Sequence, residues 1–179
     1  MSQIIISSYK SDLGELIIGS YDNKLCMCDW RYRKMRPIID NRIKSALKAE
    51  FEEGSSDVNT ETIAQLKSYF AGERKSFDLP LLLIGTEFQK TVWNALLEIP
   101  FGKTLSYLAL SEKLSNPGAI RAVASANGAN AISIIVPCHR IIGSDGSLTG
   151  YAGGLSAKKN LLKLEGALLT EQISMFDEL

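Results

Sequence analysis

The spacing of apolar residues changes once along this chain, near Gly85, and that change restricts the fold to two differently built halves. Before it, short apolar segments are separated by turn signals. Ile4-Ile5-Ile6, Leu16-Ile17-Ile18 and Leu25 to Trp30 are parted by Asp12-Leu13-Gly14 and by Tyr21-Asp22-Asn23-Lys24. This pattern predicts a small antiparallel sheet. Helical spacing follows over 38–51, through Ile39, Ile43, Ala46, Leu47 and Phe51, and again over 61–71, through Ile63, Leu66 and Phe70 with Gly72 as the stop. The stretch 53–59 between them reads as a surface loop. The apolar run Leu79 to Ile84 contains Pro80 and ends at Gly85, as a connecting strand or linker does. Beyond it the pattern is mostly helical, over 86–99, 106–114, 119–126 and 156–166, with short turns rich in Gly, Pro and Asn. The expectation is an α+β chain: an N-terminal α/β domain over 1–84, a mostly helical domain over 85–170 and an acidic tail over 171–179.

Composition excludes several chemistries. The 179 residues are 45% hydrophobic and 22% charged, the balance of a globular protein able to bury a core. A single histidine, His139, cannot build a metal site that needs two imidazoles, so no metal and no cofactor is expected. Three cysteines are too few, and odd in number, for a disulfide scaffold. The first fifteen residues lack a basic segment followed by a long apolar one, so a reducing, cytoplasmic setting is expected. The longest uncharged run, Ala122 to His139, carries two Asn, two Ser and a Gly that would be expensive in hydrocarbon, so no membrane association is expected.

The net charge of zero conceals an uneven distribution. Residues 1–85 carry 12 basic and 12 acidic groups, residues 86–165 carry 8 and 5, and the remainder carries three acidic groups alone. A mildly basic second half is a weak nucleic-acid signal by itself. It gains weight from Ser106 to Leu114, the turn Ser115-Asn116-Pro117-Gly118 and Ala119 to Ala126, which have the spacing of a helix-turn-helix. Apart from Arg121, the second of these helices has no long polar side chain to read base edges. Its small residues suit a minor-groove contact made through backbone and shape, with Arg121 able to enter the duplex. A buried Ala-rich helix with Arg121 as a solvated charge fits the same residues.

The segment Ile134 to Ile142 places the lone histidine beside Cys138. A thiol is nucleophilic as its thiolate, and a neighbouring imidazole can promote that ionisation. Adjacent residues on a regular strand face opposite ways, so either Pro137 breaks the strand or a water joins the two groups. Cys26 and Cys28 read as buried hydrophobes sharing one strand face.

Pro137-Cys138-His139-Arg140 is preceded by Asn127-Gly128-Ala129-Asn130 and followed by Gly150-Tyr151-Ala152-Gly153-Gly154. With Phe88-Gln89-Val92-Trp93, Ile99-Pro100-Phe101-Gly102, Ser106-Tyr107 and Arg121-Ala122-Val123 in the same order, residues 85–166 closely resemble the O6-alkylguanine-DNA alkyltransferases. The first 80 residues match more loosely. The resemblance implies a ribonuclease H-like N-terminal domain and a single-turnover transfer of the alkyl group from O6-alkylguanine, and from O4-alkylthymine, to Cys138. It implies that His139 and Glu165 form a water-linked relay that deprotonates the thiol, and that Asn130 braces the turn. Tyr107 would rotate the target phosphate, Arg121 would fill the gap left by the extruded base, and Asn116 and Ser144 would contact the DNA backbone. Tyr151, Ala152 and Gly153 would close over the guanine, and Ser133 would influence which alkyl groups the pocket tolerates. The partner implied is double-stranded DNA, bound in the minor groove by a monomer with the base flipped out. Ala131 stands where the family commonly has proline, and Ser133 where animal members often do. The helix-turn-helix spacing alone equally supports a non-catalytic DNA-binding module, and Cys138 with His139 alone would serve a cysteine hydrolase.

Overall fold

A computed structural model describes residues 2–168; the acidic tail lies outside the described residues. Strands β1 (Ser2–Ser11), β2 (Gly14–Tyr21) and β3 (Lys24–Trp30) form an antiparallel meander. Asp22 and Asn23, both in the left-handed region, make the tight turn between β2 and β3. Helix α1 (Arg36–Leu47) begins with a proline in its first turn and ends at Lys48, whose φ of 49° stops it. The helix expected over 38–51 therefore ends early. Ala49–Glu53 is instead strand β4, paired parallel to β1, which gives the sheet order β3-β2-β1-β4. The expected loop over 53–59 shortens to residues 54–56, because Glu53 ends β4 and Ser56 caps α2 (Asp57–Phe70) by accepting the Asn59 N–H at 3.1 Å.

The two faces of the sheet bury different partners. Ile39 and Ile43 of α1 pack with Ile4, Cys26 and Met27, whereas Leu66 and Tyr69 of α2 pack with Leu16, Ile18, Leu25, Cys28 and Trp30. Cys26 and Cys28 thus lie on opposite faces, contrary to the alternation expected from sequence. A register shift opposite Gly19 and Ser20 inserts one extra residue into β3 and reverses the side-chain direction between them.

The second half is helical: α3 (Glu87–Leu97), α4 (Tyr107–Lys113), α5 (Ile120–Gly128) and α6 (Leu155–Leu164). Thr86 and Gln89 form a capping box at the start of α3. Helices α4 and α5, joined by the short 3-10 turn Pro117–Ala119, make the expected helix-turn-helix. Strands β5 (Leu105–Ser106) and β6 (Ile141–Ile142) pair parallel and tie this unit to the segment carrying Cys138.

The halves share one core: Leu16, Ile18, Leu66 and Tyr69 pack in the same cluster as Val92, Trp93, Leu110, Val123 and Leu161. The edge of β3 is paired as well. Its residue Cys28 donates to Ala131 O at 2.9 Å and accepts from Ser133 N at 2.7 Å, so the turn before Cys138 is bridged at Ile132 to the edge of the N-terminal sheet. No helix among the described residues is long and apolar enough to cross a membrane.

Candidate active site

Residues 129–137 leave α5 in a buried irregular turn that delivers Cys138 to a 3-10 turn, Cys138–Arg140. The segment is not a strand, so Cys138 and His139 need not face opposite ways. Asn130 holds the turn from within. Its Oδ1 accepts the Ile132 N–H at 2.9 Å and its Nδ2 donates to Val136 O at 2.9 Å, two residues before the cysteine. Ile134, a β-branched residue, sits at φ 73°, a conformation costing about 1–3 kcal/mol that the surrounding contacts must impose.

Glu165, just past the end of α6, gathers the charged groups. Its carboxylate accepts from His139 Nε2 at 2.8 Å, from Arg140 Nε and Nη2 at 2.9 Å each, and from the Tyr69 hydroxyl at 2.7 Å. Burial opposes its ionisation, but these donors and the Arg140 charge win and hold it at about 2. Burial pushes His139 below the usual histidine range against the pull of Glu165, so the imidazole is neutral near pH 7. With Nε2 donating to the carboxylate, the lone pair lies on Nδ1, which is buried and has no protein partner. Gly102 makes room for this arrangement: at φ 79°, a Cβ there would lie 2.9 Å from the Glu165 carbonyl oxygen. Gly102→Ala is expected to cost about 1–3 kcal/mol in urea unfolding and to slow any chemistry that depends on Glu165.

Cys138 is 4% exposed, and burial raises its thiol above the ordinary value while Asn130 and the Lys158 charge pull it down. Lys158 is itself buried, donates to Thr149 O at 2.8 Å and is lowered by burial to about 8. Cys138 opens on a cavity of about 740 Å³ that is also lined by Tyr107, Asn127, Asn130, Tyr151, Ala152 and Gly153. Tyr107, the first residue of α4, accepts from Thr149 Oγ1 at 3.4 Å.

The remaining expected residues lie elsewhere. Ser133 is fully buried, donates to Asp29 Oδ1 at 3.3 Å and is not among the residues lining the cavity. Arg121 is exposed on α5, where Val123, Ala126 and Asn127 face the core and the outward side carries Ile120, Arg121 and otherwise small residues. Asn116 and Ser144 are exposed in turns outside the cavity. The sequence reading assigned no role to Tyr69, Arg140, Lys158 or Trp30, nor to Arg33 and Arg42. Of these only Arg140 carried a local signal, as the last residue of the Pro-Cys-His-Arg run.

Arg33 and Arg42 come from the N-terminal half. Arg33 donates to the carbonyls of Gly128 and Asn130 while pairing with the buried carboxylate of Asp29, and Arg42 donates to Ala129 O at 2.8 Å. Three successive carbonyls at the end of α5 are thus capped by cations of the other half, as the helix dipole favours.

Two family models together cover most of this chain: the DNA binding domain of 6-O-methylguanine DNA methyltransferase over residues 87–167 and its ribonuclease-like domain over residues 4–83. The methylated-DNA–protein-cysteine methyltransferase of Methanosarcina acetivorans is 60% identical over 107 residues, 60% of this chain and 69% of that protein. The protein of that name from Mycobacterium tuberculosis is 52% identical over 115 residues, 64% of this chain and 70% of that one. The crystal structure of Mycobacterium tuberculosis OGT in complex with DNA superposes at a TM-score of 0.77 with 38% identity, covering 98% of this chain and 99% of that one. Likeness across both halves, in sequence and in fold, means that the chain belongs to the 6-O-methylguanine DNA methyltransferase family.

Proposed function

We propose that this chain repairs DNA by taking the alkyl group of O6-alkylguanine onto Cys138, once per molecule. The observation that carries the reading is a buried thiol on the wall of a large cavity, next in sequence to a neutral imidazole that is itself held by an ionised carboxylate. The Cys138 proton passes through a water to His139 Nδ1, and Glu165 stabilises the imidazolium that forms. The thiolate attacks the alkyl carbon, the carbon–sulfur bond forms as the carbon–oxygen bond breaks, and the electron pair leaves on guanine O6. Tyr107, whose hydroxyl accepts from Thr149, donates the proton that the departing guanine requires. The thioether has no good leaving group, so the protein is consumed.

The chain binds duplex DNA. The outward side of α5, small beyond Ile120 and Arg121, suits the minor groove, and Arg121 enters the stack when the damaged, weakly paired base swings out toward Cys138. Asn116 and Ser144, both exposed, contact the backbone, and Tyr151, Ala152 and Gly153 close over the guanine. We further read the chain as a cytoplasmic monomer divided into domains at 84/85.

Incubation with a duplex oligonucleotide carrying O6-methylguanine is expected to add one methylene to the mass of the peptide containing Cys138, at one equivalent per molecule. Cys138→Ala should retain duplex binding and gain no mass. Binding without transfer by the unaltered chain would instead favour a non-catalytic module, and steady product release would favour a hydrolase.

A further inference from the structure

One wall of the Cys138 cavity comes from the N-terminal half. Trp30, the last residue of β3, lines that cavity while remaining only 4% exposed, so its ring is clamped rather than free. Its indole N–H donates to the Tyr151 hydroxyl at 3.2 Å, and the two rings meet edge to face with centroids 6.0 Å apart. The same indole lies flat against the backbone of Gly153, where a Cβ would stand within 2.5 Å to 2.8 Å of three of its atoms. Behind it, a Cβ on Gly14 would meet its far edge at 3.2 Å. Trp30 is thus held between the β1–β2 turn and the 151–153 loop, and touches that loop at both ends. Tyr151 in turn stands edge-on to His139, with centroids 6.4 Å apart.

We propose that Trp30 is a specificity-determining residue of the alkyl pocket, fixing the 151–153 loop at a distance that admits a small alkyl group and disfavours a bulky one. This rests on Cys138 being the alkyl acceptor. A shorter aliphatic side chain at position 30 removes the support for Gly153 and frees the Tyr151 hydroxyl, so the loop retreats and the cavity widens. A small substrate then loses its near-attack placement, while a large one gains room.

The test uses the full chain and two duplex oligonucleotides of one sequence, carrying O6-methylguanine or O6-benzylguanine, with transfer to Cys138 followed by peptide mass over a range of DNA concentrations. Trp30→Leu is expected to raise the benzyl-to-methyl ratio of maximal transfer rates about tenfold or more, the scale on which apolar pockets discriminate size. Trp30→Phe keeps a ring against Gly153 and loses only the donor, so it should fall between Trp30→Leu and wild type. Loss of folded protein multiplies both rates equally and leaves the ratio unmoved. Equal decline on both substrates, or a ratio within twofold of wild type in Trp30→Leu, would overturn the assignment and leave Trp30 a core residue. No mass gain on wild-type Cys138 from either duplex would overturn the acceptor reading, and this assignment with it.

Discussion

Glu165→Gln is expected to lower the rate of alkyl transfer by about 10²–10⁴-fold, the usual contribution of a positioned proton-transfer system, and to destabilise the fold at the same time. The carboxylate accepts from His139, Tyr69 and the Nε–Nη2 edge of the Arg140 guanidinium. A neutral amide keeps the shape but leaves the Arg140 charge buried without its counter-ion, and breaking a buried pair in this way costs about 3–5 kcal/mol. It also presents an N–H where His139 needs an acceptor, which favours the imidazole tautomer with its lone pair on the wrong nitrogen. Rapid-quench transfer kinetics and urea unfolding on one preparation separate the two effects. Transfer within tenfold of wild type would remove Glu165 from the relay.

The same carboxylate predicts how stability responds to acid. Its folded value of about 2 lies below the ordinary 4.5, so the stabilisation is fully present above the ordinary value and is lost as pH falls through the folded one. The displacement corresponds to on the order of 3 kcal/mol, lost progressively between about pH 5 and pH 2. Urea midpoints measured across that window should fall steeply for wild type and more shallowly for Glu165→Gln. Parallel curves would mean that other carboxylates carry the acid sensitivity.

Arg33→Met is expected to have the second largest effect, although it lies far in sequence from Cys138. The side chain satisfies two carbonyls flanking Ala129 and neutralises Asp29, which is fully buried. Its removal leaves Asp29 with Arg36 as its remaining cationic partner and strips two carbonyls of their donor, for a loss of about 3–5 kcal/mol. Because Asn130 is one of the residues held and its side chain in turn holds Val136, the turn that carries Cys138 loosens and transfer slows. The double variant Arg33→Met/Asp29→Leu should recover part of the stability, because the buried carboxylate goes with its main partner while Arg36 keeps its pair with Asp40. Its transfer rate should stay low, because the carbonyls of Gly128 and Asn130 still lack a donor. Recovery of both would mean that Arg33 serves stability alone.

Where local pattern was enough, sequence and structure agree. The meander of β1 to β3, the capped starts of α3 and α4 and the α4–α5 unit all follow from turn residues and apolar spacing within a dozen positions. Agreement stops where a distant partner decides. Ala49–Glu53 continues a helical pattern but pairs with β1. Asn59 and Gln65 sit on the buried side of α2 because distant backbone carbonyls take their amide N–H groups: Asn59 donates to Ile5 O at 2.9 Å and Gln65 to Asp78 O at 3.0 Å. Cys26 and Cys28 are separated by a bulge that alternation cannot reveal. At the site, the ordered run around Cys138 led to His139, Glu165, Tyr107 and Asn130 by resemblance. Tyr69 and Trp30 remained invisible, since a tyrosine or tryptophan in an apolar stretch reads as core whatever its polar end meets.

The sequence by itself determined the helix-turn-helix and the adjacency of the one histidine to Cys138, because each is written in neighbouring residues. Only the tertiary structure decided the ionisation states. Glu165 is charged, His139 neutral and Lys158 lowered because burial and partners up to 96 residues away set their electrostatics, and no local pattern records what will be buried against what.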